Sequence, residues 1–76
     1  DIIGQFIQEC CETGDGEEST ASDLYAAYKK WAIDAGEYVE SQRGFGLKLK
    51  DRGYQNEMIT SGISKGRTRW LGIAVR

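Results

Sequence analysis

Only four residues, Glu37-Tyr38-Val39-Glu40, separate Gly36 from Ser41, and this link constrains the fold more than any other feature of the chain. On its N-terminal side, Leu24, Ala27, Tyr28, Trp31, Ala32 and Ala35 line one face at helical spacing, with Lys29, Lys30 and Asp34 on the other. Thr20 and Asp23 form a capping-box pattern, Ser22 is a second N-cap candidate, and Gly36 is a C′ stop. On the C-terminal side, Ser41 caps and Gly53 closes another helix over about residues 42–52. Two helices joined so tightly pack as a helix-turn-helix pair.

What flanks the pair completes the order of elements. "DIIGQFIQECCET" places Ile2, Ile3, Phe6, Ile7, Cys10 and Cys11 on one helical face, predicting a first helix over about residues 2–12. Gly14, Asp15 and Gly16 then break it, and the acidic stretch through Glu18 is expected to be a solvated loop. A short extended piece near Ser19–Ala21 could pair with a later strand. After Gly53 the composition turns to Thr, Ile, Tyr, Trp and Val. "SGISKG" lies between strand-like runs at Tyr54–Thr60 and Arg67–Val75, which predicts a β-hairpin with a basic, glycine-bounded loop. The expected fold is therefore α+β: a single winged helix-turn-helix domain over residues 1–76, with three helices, a C-terminal hairpin wing and a short extra strand between the first two helices.

A chain of 76 residues buries only about 60% of its unfolded surface, so a multi-step enzyme is not expected. There is no histidine, Glu17 and Glu18 sit in a glycine loop with nothing to desolvate them, and neither cysteine has an activating partner nearby in sequence. Ser41 reads as an N-cap, not a nucleophile. The adjacent Cys10 and Cys11 cannot staple distant segments or complete a Cys/His metal set; they are expected to be buried, inert helical thiols suited to a reducing cytoplasm. No apolar run approaches the ~18 residues that span a bilayer, and no signal peptide is apparent, so a soluble intracellular domain of a longer chain is expected, with no cofactor, metal or membrane partner.

Charge supplies the functional pointer. Residues 1–40 hold ten carboxylates against Lys29 and Lys30, a balance of −8, and residues 41–76 hold eight cations against Asp51 and Glu57, a balance of +6. The total of −2 hides a basic half suited to an anionic partner, because attraction depends on the local field. On the third helix Phe45, Leu49 and the stem of Arg52 share the side that faces the core, and Arg43, Leu47 and Lys50 lie opposite, with Gly46 at the edge. The candidate DNA-binding residues are Gln42, Arg43, Leu47, Lys48 and Lys50 on this helix, entering the major groove, with Lys65, Arg67 and Arg69 on the wing. Tyr28, Trp31 and Trp70 read as core.

Two glycines inside this helix, Gly44 and Gly46, each cost about 1 kcal/mol against alanine. Gly46 would admit a closely approaching partner and Gly44 would let the third helix pass near the second; simple relief of crowding between helices is the alternative for both.

These residues carry a family resemblance. Leu24, Tyr25, Tyr28 and Trp31, then Ser41, Phe45, Gly46, Leu49, Arg52, Gly53 and Tyr54, then Trp70–Ile73, match in order and spacing the C-terminal domain of the phage and plasmid primase-helicases, a group with satellite-phage and poxvirus members. The resemblance implies a winged-helix domain that follows a helicase core and binds DNA, in some members the replication origin, within a homo-oligomeric, hexameric parent; the fragment alone could be monomeric. The ATPase is not in this segment: "GISKGRTR" lacks the phosphate-loop spacing and a following helix. The rival expectation is a winged-helix module that contacts other subunits or replication partners.

Overall fold

A computed structural model describes residues 1–63 and 65–76. Three helices, α1 (Ile2–Cys10), α2 (Ala21–Asp34) and α3 (Gln42–Asp51), pack on a three-stranded antiparallel sheet formed by β1 (Cys11–Thr20), β2 (Gln55–Met58) and β3 (Thr68–Val75), in the order β1-β3-β2. The architecture is α+β, as the sequence predicts. No helix among the described residues is long and apolar enough to cross a membrane.

The helix signals act locally as expected. Thr20 Oγ1 accepts from the Asp23 amide at 3.2 Å, and Ser41 Oγ accepts from the Gly44 amide at 3.0 Å, each satisfying a first-turn N–H that has no partner within its helix. Past α3, Gly53 takes φ +95°, a left-handed conformation that costs glycine nothing and turns the chain into the hairpin.

The N-terminal segment differs from expectation. Cys11 adopts φ −124°, ψ 151°, so α1 stops at Cys10 and the chain enters a ten-residue strand. The acidic stretch at Gly14–Glu18 is part of that strand and not a loop outside the sheet, and the short piece expected at 19–21 is only its end, since Ala21 already begins α2. The register runs from Thr13 opposite Ile73 to Glu18 opposite Leu71, so β1 spends five steps where β3 spends two. The excess holds Gly14, Asp15 and Gly16, which keep their turn-forming character as an irregularity within the ladder. On β3 the matching position is Gly72, at φ +83°. This residue resets the alternation, so Trp70 and Ile73, three apart, are both buried.

The hairpin expected over Tyr54–Thr60 and Arg67–Val75 is present with shorter strands. Two bonds beyond β2, Ile59 N–H to Arg67 O (2.7 Å) and Gly66 N–H to Ile59 O (2.8 Å), carry it to the loop. Ser64, in the expected basic loop, lies outside the described residues.

The core comprises Ile3, Phe6, Cys11, Leu24, Tyr28, Ala32, Phe45, Leu49, Trp70 and Ile73. At its centre the Phe45 ring stacks on Tyr28, centroids 4.5 Å apart and planes 16° from parallel, and Phe6 meets both edge-on. Trp31 is not core: it is half-buried, and its Nε1–H donates to the Glu9 carboxylate at 3.0 Å. Arg52 does not point inward either; its guanidinium reaches the start of α1 and pairs with Asp1.

The Tyr28 hydroxyl is buried and accepts from the Glu40 amide at 2.9 Å, while its proton points along a longer 3.4 Å contact to the Tyr38 carbonyl. The Tyr25 hydroxyl donates to the Glu40 carbonyl at 2.9 Å. Two tyrosines thus hold both main-chain groups of Glu40 and fix the link between α2 and α3.

The two thiols differ. Cys10 ends α1 half-buried, whereas Cys11 opens β1 buried. Burial raises both thiols; that of Cys11 goes from 9.0 to about 11, with Cys10 adding to the rise and Arg76 opposing it. Because the folded value lies above the unfolded one, the stability contributed by the neutral thiol is complete below about pH 9 and lost as pH rises through about 11.

Three predictions come from this core. Phe45→Ala costs about 3 kcal/mol or more in urea unfolding, and Tyr28→Phe, which leaves the Glu40 amide without its partner, costs about 1–3 kcal/mol. The decline in urea midpoint between pH 9 and 11 is smaller in Cys11→Ala than in the wild-type chain; equal declines in both would show that Cys11 does not titrate with unfolding.

Candidate functional site

The predicted site residues separate into two groups once their partners are known. Lys48 Nζ lies 3.4 Å from the Glu40 carboxylate. Arg69 is held between two strands: Nε is 2.9 Å from Glu57 of β2 and Nη1 is 3.0 Å from Glu18 of β1. Its proton is bound more tightly than usual, chiefly through the Glu57 hydrogen bond. Arg76 pairs with Glu12, and Arg52 with Asp1. Four cations of the basic half are therefore tied to carboxylates of the acidic half. Arg43, Lys50, Lys65 and Arg67 have no carboxylate partner among the described residues.

Arg43 and Lys50 stand on one side of a groove of about 350 Å³ between α3 and the β2–β3 hairpin. Gln42 and Leu47 of α3 also line it, and Leu47 is exposed. Asn56 of β2 and Thr68 of β3 form the opposite wall, and Phe45, Gly46 and Trp70 lie along the floor. Arg67 immediately precedes Thr68 and so adjoins this wall, and Lys65 lies further along the hairpin loop. Four of the predicted residues, Gln42, Arg43, Leu47 and Lys50, are thus brought together; Lys48 lies away from the groove, toward Glu40.

Asn56 and Thr68 were not legible as site residues. Asn56 faces the groove because it pairs with Trp70 across the ladder, and Thr68 lies two residues before Trp70 on the same strand. Only the register of the hairpin reveals either position.

The two glycines have different surroundings. A Cβ on Gly44 would come within 2.9 Å of Glu40 Oε1, so this glycine makes room for the carboxylate that pairs with Lys48, and the neighbour is the link, not α2. A Cβ on Gly46 would lie 3.4 Å from Trp70 Cζ2, an ordinary contact, and would project toward the groove. Neither α2 nor crowding between helices explains Gly46.

Substituting Gly46→Ala is accordingly expected to raise stability by up to about 1 kcal/mol through helix propensity. The same change at Gly44 must first displace the Glu40 carboxylate and gains less. Paired urea titrations give the order, and a larger gain at Gly44 would contradict it.

A protein-family model described as Poxvirus D5 protein-like matches residues 1–67, which run from α1 to the hairpin loop and leave β3 outside the match. Comparison with curated proteins finds no match.

Proposed function

The chain belongs to the Poxvirus D5 protein-like family and so is a domain of a primase-helicase-like protein; from that premise we propose that it is a winged helix-turn-helix domain that places its parent on double-stranded DNA at an origin or fork. The element order, two helices across a four-residue link followed by a hairpin, supports the winged-helix reading. One observation carries the DNA reading: ion pairing inside the fold spares Arg43 and Lys50 on α3 and Lys65 and Arg67 on the hairpin, on two adjoining elements. α3 supplies the groove-entering face, and the hairpin cations contact phosphates that set register. The domain itself is non-catalytic in this reading, with the parent's catalytic sites elsewhere, and it acts in the cytoplasm within a homo-oligomeric, hexameric assembly.

A second reading, a contact module for other subunits or replication partners, draws on the exposed Ile33 and Tyr38 at the far end of α2 and in the link. Salt dependence distinguishes the two. Fluorescence anisotropy on a labelled duplex at two salt concentrations should show log K falling steeply with log salt, and each of Arg43→Ala, Lys50→Ala and Arg67→Ala should weaken binding and flatten the slope by about 0.9. Lys48→Ala and Arg69→Ala, whose charges are already matched, should change the slope less. Absence of binding at low salt would sink the DNA reading for this domain.

A further inference from the structure

On the premise that the domain binds DNA, we infer that the groove beside Gly46 receives one unpaired nucleobase, so that the site favours a duplex end or junction with an unpaired nucleotide over a continuous duplex. Gly46 sits inside α3 and is not among the glycines at positive φ, and a Cβ there would meet nothing closer than 3.4 Å. Neither backbone conformation nor packing asks for glycine, although glycine weakens the helix. What its missing side chain provides is the opening of the groove.

The groove suits one planar ring. Its roughly 350 Å³ is at the small end of the ~300–1,000 Å³ typical of ligand clefts. Phe45 and Trp70, both largely buried, lie beside Gly46 at its floor, and Gln42 and Asn56, whose amides carry donors and an acceptor, are among its lining residues. Arg43 and Lys50 also line it, unpaired and placed for the flanking phosphates. Unpaired bases are recognised by this combination of apolar surface, hydrogen bonds to a free base edge and phosphate contact. A base within a continuous duplex has its faces stacked and its Watson–Crick edge occupied, so it cannot enter.

The test compares the 76-residue chain on a blunt duplex and on the same duplex with a single unpaired terminal 2-aminopurine, by anisotropy and by 2-aminopurine fluorescence. The expected result is a preference for the unpaired nucleotide of about fivefold or more, with a change in 2-aminopurine emission on binding. Gly46→Leu, which fills the groove, should bring the ratio of the two affinities to one, and Gly46→Ala should reduce it without lowering the melting temperature. If Gly46→Leu melts early, Gly46→Ala and the 2-aminopurine signal decide. A wild-type ratio of one, or a ratio unmoved by either substitution, would overturn the inference and leave duplex binding standing. Failure to bind either DNA at low salt would remove the DNA reading itself.

Discussion

The structure depends on what surrounds the Tyr28 side chain. Its ring stacks face to face on Phe45, which anchors α3, and meets Phe6 of α1 edge-on, so one side chain joins all three helices. Its hydroxyl is the polar end of the same contact and receives the amide of Glu40, one residue before the Ser41 cap. Burying a phenol requires a hydrogen-bond partner, and the partner chosen here is the link itself. Stacking fixes the distance between α2 and α3, the hydroxyl fixes the chain between them, and together they orient the face that carries Arg43 and Lys50. Two helices joined by a flexible link would have that face in no particular place.

The parts of this arrangement encoded in short segments were legible. Thr20 with Asp23, Ser41 and Gly53 act through bonds and angles within a few residues, so their positions in the sequence almost determine their roles. Phe45 and Leu49 follow from helical period. The strand β1 was not legible because its residues oppose it: Glu, Gly and Asp are poor strand formers, and the segment is extended only because β3 offers a ladder on its far side. Glu18 and Glu57 likewise gave no local sign that they would bracket Arg69, since each reaches it from a different strand. Gly44 was obscure for a related reason: its neighbour, the Glu40 carboxylate, is placed by tyrosines on another helix.

Ion pairing decides what the sequence charge imbalance becomes in the fold. Solvent-exposed pairs are worth about 0–1 kcal/mol each, so Arg52–Asp1, Arg69–Glu18 and Arg76–Glu12 do little for stability. Their larger effect is on the field. They cancel positive charge at the end of α3, on β3 and just past it, and leave it beside the groove and at the hairpin loop. A chain with net charge −2 can in this way present a local positive surface.

The residues that carry the sequence resemblance are mostly not those that line the groove. Leu24, Tyr28, Phe45, Leu49 and Trp70 are buried, Tyr25 holds the link, and Ser41 and Gly53 start and end α3. Arg43, Leu47, Lys50 and Asn56 fall between these positions, exposed on the scaffold that they define. Phe45, Gly46 and Trp70 belong to both sets, because they carry the resemblance and also form the floor of the groove. The framework and the ligand-facing surface are therefore carried by nearly separate residues, so a matching framework specifies how α3 is presented and says little about what it is presented to. Of the three, Gly46 alone is not a buried core side chain, so Gly46→Ala probes the groove without removing a core contact.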